Sequence, residues 1–169
     1  MYPKNPIYLI SYLKHDETLD AYKKITRIDV FQQDFLDECL DIDLEVDFKD
    51  SFVIFDDVDS IVNKKTKEKI YGFLNKMLRI GRHCGLSVAY SGHELYHSHE
   101  LNAILNESMT ITFFPKFLNF KKMHYLLERY FGLSKEQITK IRAIKDTRPI
   151  TYIKGSEKVI LSDTRCFIL

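Results

Sequence analysis

Two adjacent carboxylates follow the most apolar run of the sequence. Asp56 and Asp57 come directly after the run Phe52-Val-Ile-Phe55. In nucleotide hydrolases an acid at the carboxyl end of a central strand holds magnesium, usually through water, and the next acid orients or deprotonates the attacking water. Many α/β proteins also end a buried strand in an Asp that only caps the following helix. The pair therefore suggests nucleotide hydrolysis, with a structural cap as the alternative.

A second candidate is the HExxH string that runs from His93 to His97. On a helix this spacing places two imidazoles on one face to bind zinc, with Glu94 as the general base. The string comes directly after a predicted strand and Gly92, however, and no apolar helical periodicity spans it. We therefore expect no zinc, and a zinc hydrolase remains a distant alternative.

A third candidate is a basic residue followed by a strand with a polar tip. Arg82 precedes the run Leu86-Ser-Val-Ala-Tyr-Ser91, and His93 comes two residues after that run. Several motor ATPases read a nucleotide with such a unit, because the strand tip senses the γ-phosphate and the arginine reaches the nucleotide of a neighbouring subunit. The structural alternative is an arginine at the carboxyl terminus of a helix and a histidine that caps a loop.

Strands and helices alternate through most of the chain that must position these residues. Apolar, β-prone runs predict strands at 7–13, 51–55, 86–91 and 109–114. Helical spacing predicts helices at 61–82, 101–107, 120–131 and 134–144. Gly81 is expected to end the first of these, and a capping box is expected at Ser134. A hairpin of 151–153 with 159–161 closes the chain. The alternation predicts an α/β fold with a mostly parallel sheet.

Residues 29–50 are rich in acids interleaved with apolar side chains. We interpret this stretch as a solvated connection with a short helix, and a docking surface for a basic partner is the alternative.

Composition excludes several classes of protein. The chain has 169 residues, 45% hydrophobic and 29% charged, with 25 Lys+Arg against 24 Asp+Glu, which is typical of a soluble globular domain. No apolar run approaches the roughly 18 residues of a membrane span, and no signal peptide is evident, so we expect an intracellular protein without membrane contact. The three cysteines are far apart, as expected of reduced thiols.

Taken together, these segments resemble the FtsK-HerA superfamily of P-loop ATPases. The likeness is greatest to the genome-packaging ATPases of nucleocytoplasmic large DNA viruses. It is carried by 52–57, by GRHCGLSVAYSGH at 81–93 and by 104–115, and it extends over about residues 5–165.

The resemblance implies a role for five residues. Asp56 would be the Walker B acid that holds magnesium through water, and Asp57 stands where many members have the catalytic Glu. Arg82 matches the arginine that acts on the neighbouring subunit. His93 falls at the sensor position, and Asn106 matches the family Asn before the next strand.

The resemblance also implies a partial RecA-like (ASCE) sheet. The string GxxxxGK[ST], which binds phosphate in this superfamily, does not occur in the sequence. We therefore expect one domain over 1–169 that lacks the first strand and the phosphate loop. Residues 1–115 would form the ATPase core, and 116–169 a helical pair with the terminal hairpin. The strands at 86–91 and 109–114 would then pair directly, twist apart or accept a strand from elsewhere.

The function implied is that of a fragment or degenerate member of a viral DNA-packaging ATPase, which uses ATP and Mg²⁺ to translocate double-stranded DNA. It would work in a ring with a subunit that carries the Walker A motif, in the host cytoplasm or the virion. Without a cradle of backbone N–H groups for phosphate, we expect negligible ATP hydrolysis by the chain alone.

The alternative is a non-catalytic accessory subunit that binds a complete ATPase or DNA. Such a subunit would offer Arg82 to a neighbour or a basic surface to DNA. The lysines that could face DNA are Lys64, Lys65, Lys67, Lys69, Lys116, Lys121 and Lys122. Clusters of this kind are also common on plain solvated surfaces.

Overall fold

A computed structural model of the chain describes residues 4–93, 99–114, 120–143, 149–155, 158–162 and 166–168. The chain divides into two units, Met1–Glu94 and Leu95–Leu169, and each unit has its own sheet. The predicted subdivision at residues 115 and 116 stays a prediction.

The first unit contains a parallel sheet. Its described strands are β1 (Ile7–Ser11), β2 (Ile25–Asp29), β3 (Phe52–Asp56) and β4 (Ser87–Ser91). They are ordered β2-β1-β3-β4, and all three pairings are parallel. The predicted α/β fold with a parallel sheet is thus confirmed for this unit. Strand β2 was not predicted, because the polar Arg27 interrupts its short apolar pattern.

The helices of the first unit are short except for one. They are α1 (Glu17–Asp20), α2 (Gln33–Glu38), α3 (Leu44–Asp47) and α4 (Lys64–Ile80), with 3₁₀ turns at Val58–Ser60 and Gly81–Cys84. The side chain of Asn63 accepts the Thr66 N–H and so caps α4. Among the described residues, no helix combines the length and the apolar character that crossing a membrane requires.

Helix α4 packs on one face of the parallel sheet. Its buried side chains include Ile70, Phe73, Leu74 and Met77, which recur at helical spacing. The ring of Phe73 contacts that of Phe55 in β3 with centroids 6.3 Å apart. Complete burial of one such side chain contributes about 1.5–3 kcal/mol, so this layer holds β3 and its carboxyl end in place.

The second unit combines helices with an antiparallel sheet. Its described elements are α5 (His99–Glu107), β5 (Thr110–Phe113), α6 (Phe120–Tyr125), a π-helical turn (Leu126–Tyr130), α7 (Lys135–Arg142), β6 (Ile150–Ile153), β7 (Val159–Leu161) and β8 (Cys166–Ile168). The strands are ordered β5-β6-β7-β8. The predicted terminal hairpin is confirmed as β6 and β7, and the capping box is confirmed between Ser134 and Gln137.

Strand β5 differs from the expectation of one mostly parallel sheet. Among the described strands it pairs with β6 in antiparallel orientation, within the sheet of the second unit. Its burial alternates, with Ile111 and Phe113 buried and Thr110 and Thr112 exposed. A strand with one wet face is typical of antiparallel sheets, whereas strands of parallel sheets are usually covered on both faces.

Candidate functional site at the carboxyl ends of the parallel strands

The last residues of the four parallel strands form a row. The register pairs Asp29 with Ser11, Ser11 with Asp56, and Asp56 with Ser91. Because paired residues of parallel strands point to the same face, polar side chains from neighbouring strands meet at this edge. The predicted acid Asp56 therefore lies between two hydroxyl groups.

The carboxylate of Asp56 accepts a hydrogen bond from each flanking strand. The Ser11 hydroxyl donates to Oδ2 at 3.3 Å, and the Ser91 hydroxyl donates to Oδ1 at 2.5 Å. The Ser11 oxygen also accepts the backbone N–H of Leu13 at 3.1 Å, which fixes its orientation. An ionised carboxylate has about four acceptor positions, so Asp56 retains capacity for a further donor such as a metal-bound water.

Asp57 adopts a left-handed backbone conformation, with φ 50° and ψ 25°. Residues other than glycine rarely do so, and such strain is concentrated at functional sites. Its Oδ1 lies 3.1 Å from Nε2 of His93, close enough for the imidazole to donate a hydrogen bond. The structure thus brings Asp57 and His93, which the sequence analysis selected separately, into contact.

Asp59 connects β4 to the turn after β3. Its Oδ2 accepts the backbone N–H of His93 at 2.7 Å, and the residue is only 8% exposed. Its own carbonyl accepts a hydrogen bond from the Lys67 ammonium at 2.7 Å. Sequence reasoning assigned no role to Asp59, and its position three residues after Asp56 was the only signal available. Lys67, a candidate for DNA binding, lies against the site and is half-buried.

Arg82 lies at the opposite end of the parallel strands, next to the amino terminus of β4. It is in the 3₁₀ turn before β4, whereas Asp56 ends β3. Five residues of strand span about 16 Å, so Arg82 does not join Asp56 within one chain. Its side chain is exposed and makes no ion pair within the part of the chain that the structure describes.

Asn106 belongs to the second unit, near the end of α5. It is exposed, and its backbone carbonyl accepts a hydrogen bond from the Lys154 ammonium at 3.0 Å. That ammonium also donates to the carbonyl of Leu105, so Lys154 caps the carboxyl end of the helix. The role of Asn106 toward a nucleotide stays a prediction.

The other lysines that were predicted to bind DNA differ in their contacts and exposure. Lys69 lies 2.9 Å from Asp37, and Lys64 lies 3.8 Å from Glu68. Lys65 and Lys121 are exposed and Lys122 is half-buried. Lys116 lies outside the described residues.

The HExxH string lies mostly outside the described residues, since only His93 belongs to them. Within the described ranges, no group of three or more His, Cys, Asp or Glu side chains could hold a metal ion. The zinc hypothesis therefore gains no support from this part of the chain.

The first unit is thus an α/β unit with hydroxyl, carboxylate and imidazole groups at the carboxyl edge of a parallel sheet. No family model matches the chain. It is 34% identical over 157 residues to the uncharacterized protein V3 of Sputnik virophage, an alignment that covers 92% of this chain and 61% of that protein. The chain thus spans about three fifths of its relative's length, and the likeness supports a viral origin.

Proposed function

We propose that this chain supplies the hydrolytic part of an ATPase that packages viral DNA. One observation carries the proposal: Asp56 lies at the carboxyl edge of a parallel sheet between Ser11 and Ser91, with the Asp57–His93 contact beside it. Ligands of α/β sheets bind at this edge. The resemblance to packaging ATPases adds support for the activity, and the similarity to a virophage protein supports only the viral origin.

We also propose that the parallel sheet belongs to a RecA-like core. In the described residues β4 has a paired strand on one side only, that of β3. The resemblance implies that the strand leading into the phosphate loop would lie on the other side of β4. The order β2-β1-β3-β4 therefore leaves room for such a strand where the proposal requires it.

The oxygen-rich edge fits a magnesium ion. Mg²⁺ is bound in nucleotide sites by one or two carboxylates, by waters and by substrate phosphates. Asp56 would hold it through water, with Ser11 and Ser91 fixing the carboxylate. The bound ion would neutralise the charge that develops on the β- and γ-phosphates.

The neighbouring side chains then divide the remaining work. Asp57 would orient the attacking water and accept its proton. The catalytic Glu does this in the ATPases that the chain resembles. The imidazole of His93 would turn its N–H from Asp57 to the γ-phosphate when nucleotide binds, which would free the Asp57 carboxylate for the water, and Asp59 would hold the backbone of His93 in position. Arg82 would act on the site of a neighbouring copy, because within its own chain it lies at the amino-terminal ends of the strands, away from Asp56.

Restoring a phosphate loop tests this proposal. The 169-residue chain alone should show negligible ATP hydrolysis, because it contains no GxxxxGK[ST] string. A chimera that places the strand, loop and helix of a genome-packaging ATPase before Met1 should hydrolyse ATP with Mg²⁺. Asp56→Asn and Asp57→Asn should each lower its turnover by about two orders of magnitude in a steady-state phosphate-release assay.

Asp50→Asn is the matched control, since it makes the same change at the other end of β3 and should leave turnover unchanged. An active chimera that keeps its turnover with Asp56→Asn would contradict the proposal. The proposal would also be contradicted if the 169-residue chain alone hydrolysed ATP at an ordinary turnover and lost this activity on Asp56→Ala. The site would then be complete without the phosphate loop.

Binding of double-stranded DNA has less support within this proposal. Lys67 and Lys69 make internal contacts, which leaves Lys64, Lys65 and Lys121 as exposed candidates in the described residues. If they bind DNA, affinity should fall with salt and with substitution of these lysines. The same result with an inactive chimera would favour the accessory-subunit alternative.

A further inference from the structure

A groove of about 550 Å³ lies in the first unit, at the amino-terminal end of the parallel strands. The segment Asp41–Glu45 forms one side, and the carboxyl end of α4 with the following 3₁₀ turn forms the other. Cys84 belongs to the lining, and its carbonyl accepts the backbone N–H of Asp50, which precedes β3. A five-residue strand spans about 16 Å, so the groove is separate from the site around Asp56 at the carboxyl end of β3.

Apolar side chains line the groove and border it. Ile42 is half-buried in the lining, and Ile80 on the opposite side is 48% exposed. Leu40 and Val46 lie next to the lining residues in sequence, and they are 46% and 75% exposed. Exposed apolar side chains that lie together inside a polar rim are typical of a surface that binds another protein. The groove thus offers an apolar contact to a side chain of a partner.

Internal hydrogen bonds already hold the groove in shape. The Lys76 ammonium, on α4, donates to the carbonyls of Leu40 and Ile42 at 2.7 Å each and so fastens one side of the groove to the other. The side chain of Asp43 accepts the N–H of Glu45 at 3.0 Å and caps α3. A surface that is ordered beforehand loses little conformational freedom on binding, so more of the contact energy contributes to affinity.

The rim of the groove is negatively charged. Asp41, Asp43 and Glu45 line it, all three are exposed, and none makes an ion pair within the described ranges. The basic side chains in the lining are those of His83 and Lys76, and the Lys76 ammonium is engaged with two backbone carbonyls. Complementary charge on a partner would therefore have to be positive.

We propose that this groove binds a basic segment of another protein, in which lysine or arginine side chains flank a large apolar side chain. The cations pair with Asp41 and Glu45, and the apolar side chain covers Ile80. The chain as a whole carries nearly balanced charge, whereas residues 29–50 contain nine acids and one lysine. This concentration of negative charge repels nucleic acid and attracts a basic protein segment. The docking does not depend on ATP hydrolysis.

Fluorescence anisotropy with labelled peptides tests the proposal on the full 169-residue chain. The probe is the peptide KLKGKLKGK, which combines lysines with two leucines. It should bind at low salt, and its affinity should fall as salt is raised. The peptide KSKGKSKGK keeps the charge without the leucines and should bind at least about tenfold more weakly. The peptide ELEGELEGE should not bind, because its charge has the sign of the rim.

Matched variants locate the binding. Asp41→Asn/Glu45→Gln should weaken binding of KLKGKLKGK at least about tenfold. Val46→Ser keeps the charge and should weaken binding through the lost apolar contact alone. Glu17→Gln/Glu136→Gln removes two negative charges from exposed positions outside the groove and should leave the affinity unchanged. Far-UV circular dichroism verifies that every variant is folded.

Three results would overturn the proposal. The first is equal affinity for KLKGKLKGK and KSKGKSKGK, because charge alone would then explain the binding. The second is an equal affinity of the groove variant and the control variant for the probe. The third is self-association in sedimentation velocity that Asp41→Asn/Glu45→Gln abolishes, because a second copy would then occupy the groove. None of them bears on the magnesium and water-activating roles of Asp56 and Asp57, which the chimera tests separately.

Discussion

Two aspartates with left-handed backbone lie at either end of β3. Asp50 has φ 51° and Asp57 has φ 50°. An L-residue in this conformation costs roughly 1–2 kcal/mol, although Asp tolerates it better than most. The backbone N–H of Asp50 donates to the carbonyl of Cys84 at 2.9 Å. At Asp57 the same conformation occurs in a residue whose carboxylate contacts His93.

Glycine at either position should therefore stabilise the fold. We expect Asp50→Gly and Asp57→Gly each to raise the free energy of unfolding by about 0.5–1 kcal/mol, measured by urea denaturation. The lost Asp57–His93 contact should matter little for stability, because the His93 side chain is 78% exposed. Asp57→Gly should nevertheless abolish the turnover of the active chimera, whereas Asp50→Gly should keep it.

A fall in stability on Asp57→Gly, beside a rise on Asp50→Gly, would show that the contact with His93 outweighs the backbone strain. The main role of Asp57 would then be structural.

At the residue scale, the sequence selected individual residues of the candidate site but not the contacts between them. Asp56, Asp57 and His93 follow apolar runs and were selected for that reason. The hydroxyl of Ser11 was not, since its hydrogen bond to Asp56 depends on the register between β1 and β3. Asp59 was missed for a similar reason, because its partner is 34 residues away.

The end of α4 shows how two glycines differ. The sequence predicted that Gly81 ends this helix, and α4 does end at Ile80. Gly81 itself has right-handed geometry, and a Cβ there would lie 2.7 Å from Leu86 Cδ2. The left-handed residue is Gly85, with φ 72°. Gly81 is thus required for close packing, and Gly85 for the reversal into β4.

Gly85→Ala should cost about 2 kcal/mol in urea denaturation, from strained backbone and from a clash between the new Cβ and Asp50 Oδ1. In an Asp50→Gly background the clash is gone, so the same substitution should cost less. Gly132→Ala is the control, since it adds a methyl at φ 63° next to the flexible end of Lys158. An equal cost of Gly85→Ala in both backgrounds would rule out the clash.

At the element scale, strongly patterned segments were predicted and weakly patterned ones were not. Helix α4 and strands β3 and β4 have long or uniform apolar patterns. Strands β2 and β8 were missed, because one contains Arg27 and Asp29 and the other has only three residues. Apolar content also identified β5 as a strand, but its direction depends on β6, about 40 residues later.

At the scale of the molecule, the chain folds as two units, and the strands of each unit pair with one another. Every described strand pairing lies within one unit. The second has its own apolar core, in which the rings of Phe131 and Tyr152 stack at 3.8 Å. The sequence predicted a single sheet because alternation of helices and strands shows neither where a sheet ends nor which strands turn antiparallel.

The unit Met1–Glu94 should fold when expressed alone. Its parallel sheet and the layer around Phe73 lie entirely inside it, so we expect a single cooperative urea transition and a mixed helix and strand signal in circular dichroism. Phe73→Ala should cost about 3–5 kcal/mol and so unfold much of this fragment. A fragment without a cooperative transition, from a full chain that has one, would contradict this.

The row of Ser11, Asp56 and Ser91 also protects the sheet against mispairing. Strand β3 is apolar from Phe52 to Phe55, so an alignment shifted by one residue would bury nearly as much apolar surface. A shift turns every side chain to the opposite face. It would move Asp56 away from both hydroxyls and into the layer of Phe73. A misaligned β3 would thus bury a carboxylate without its donors, which penalises this folding error at the step when the strands join.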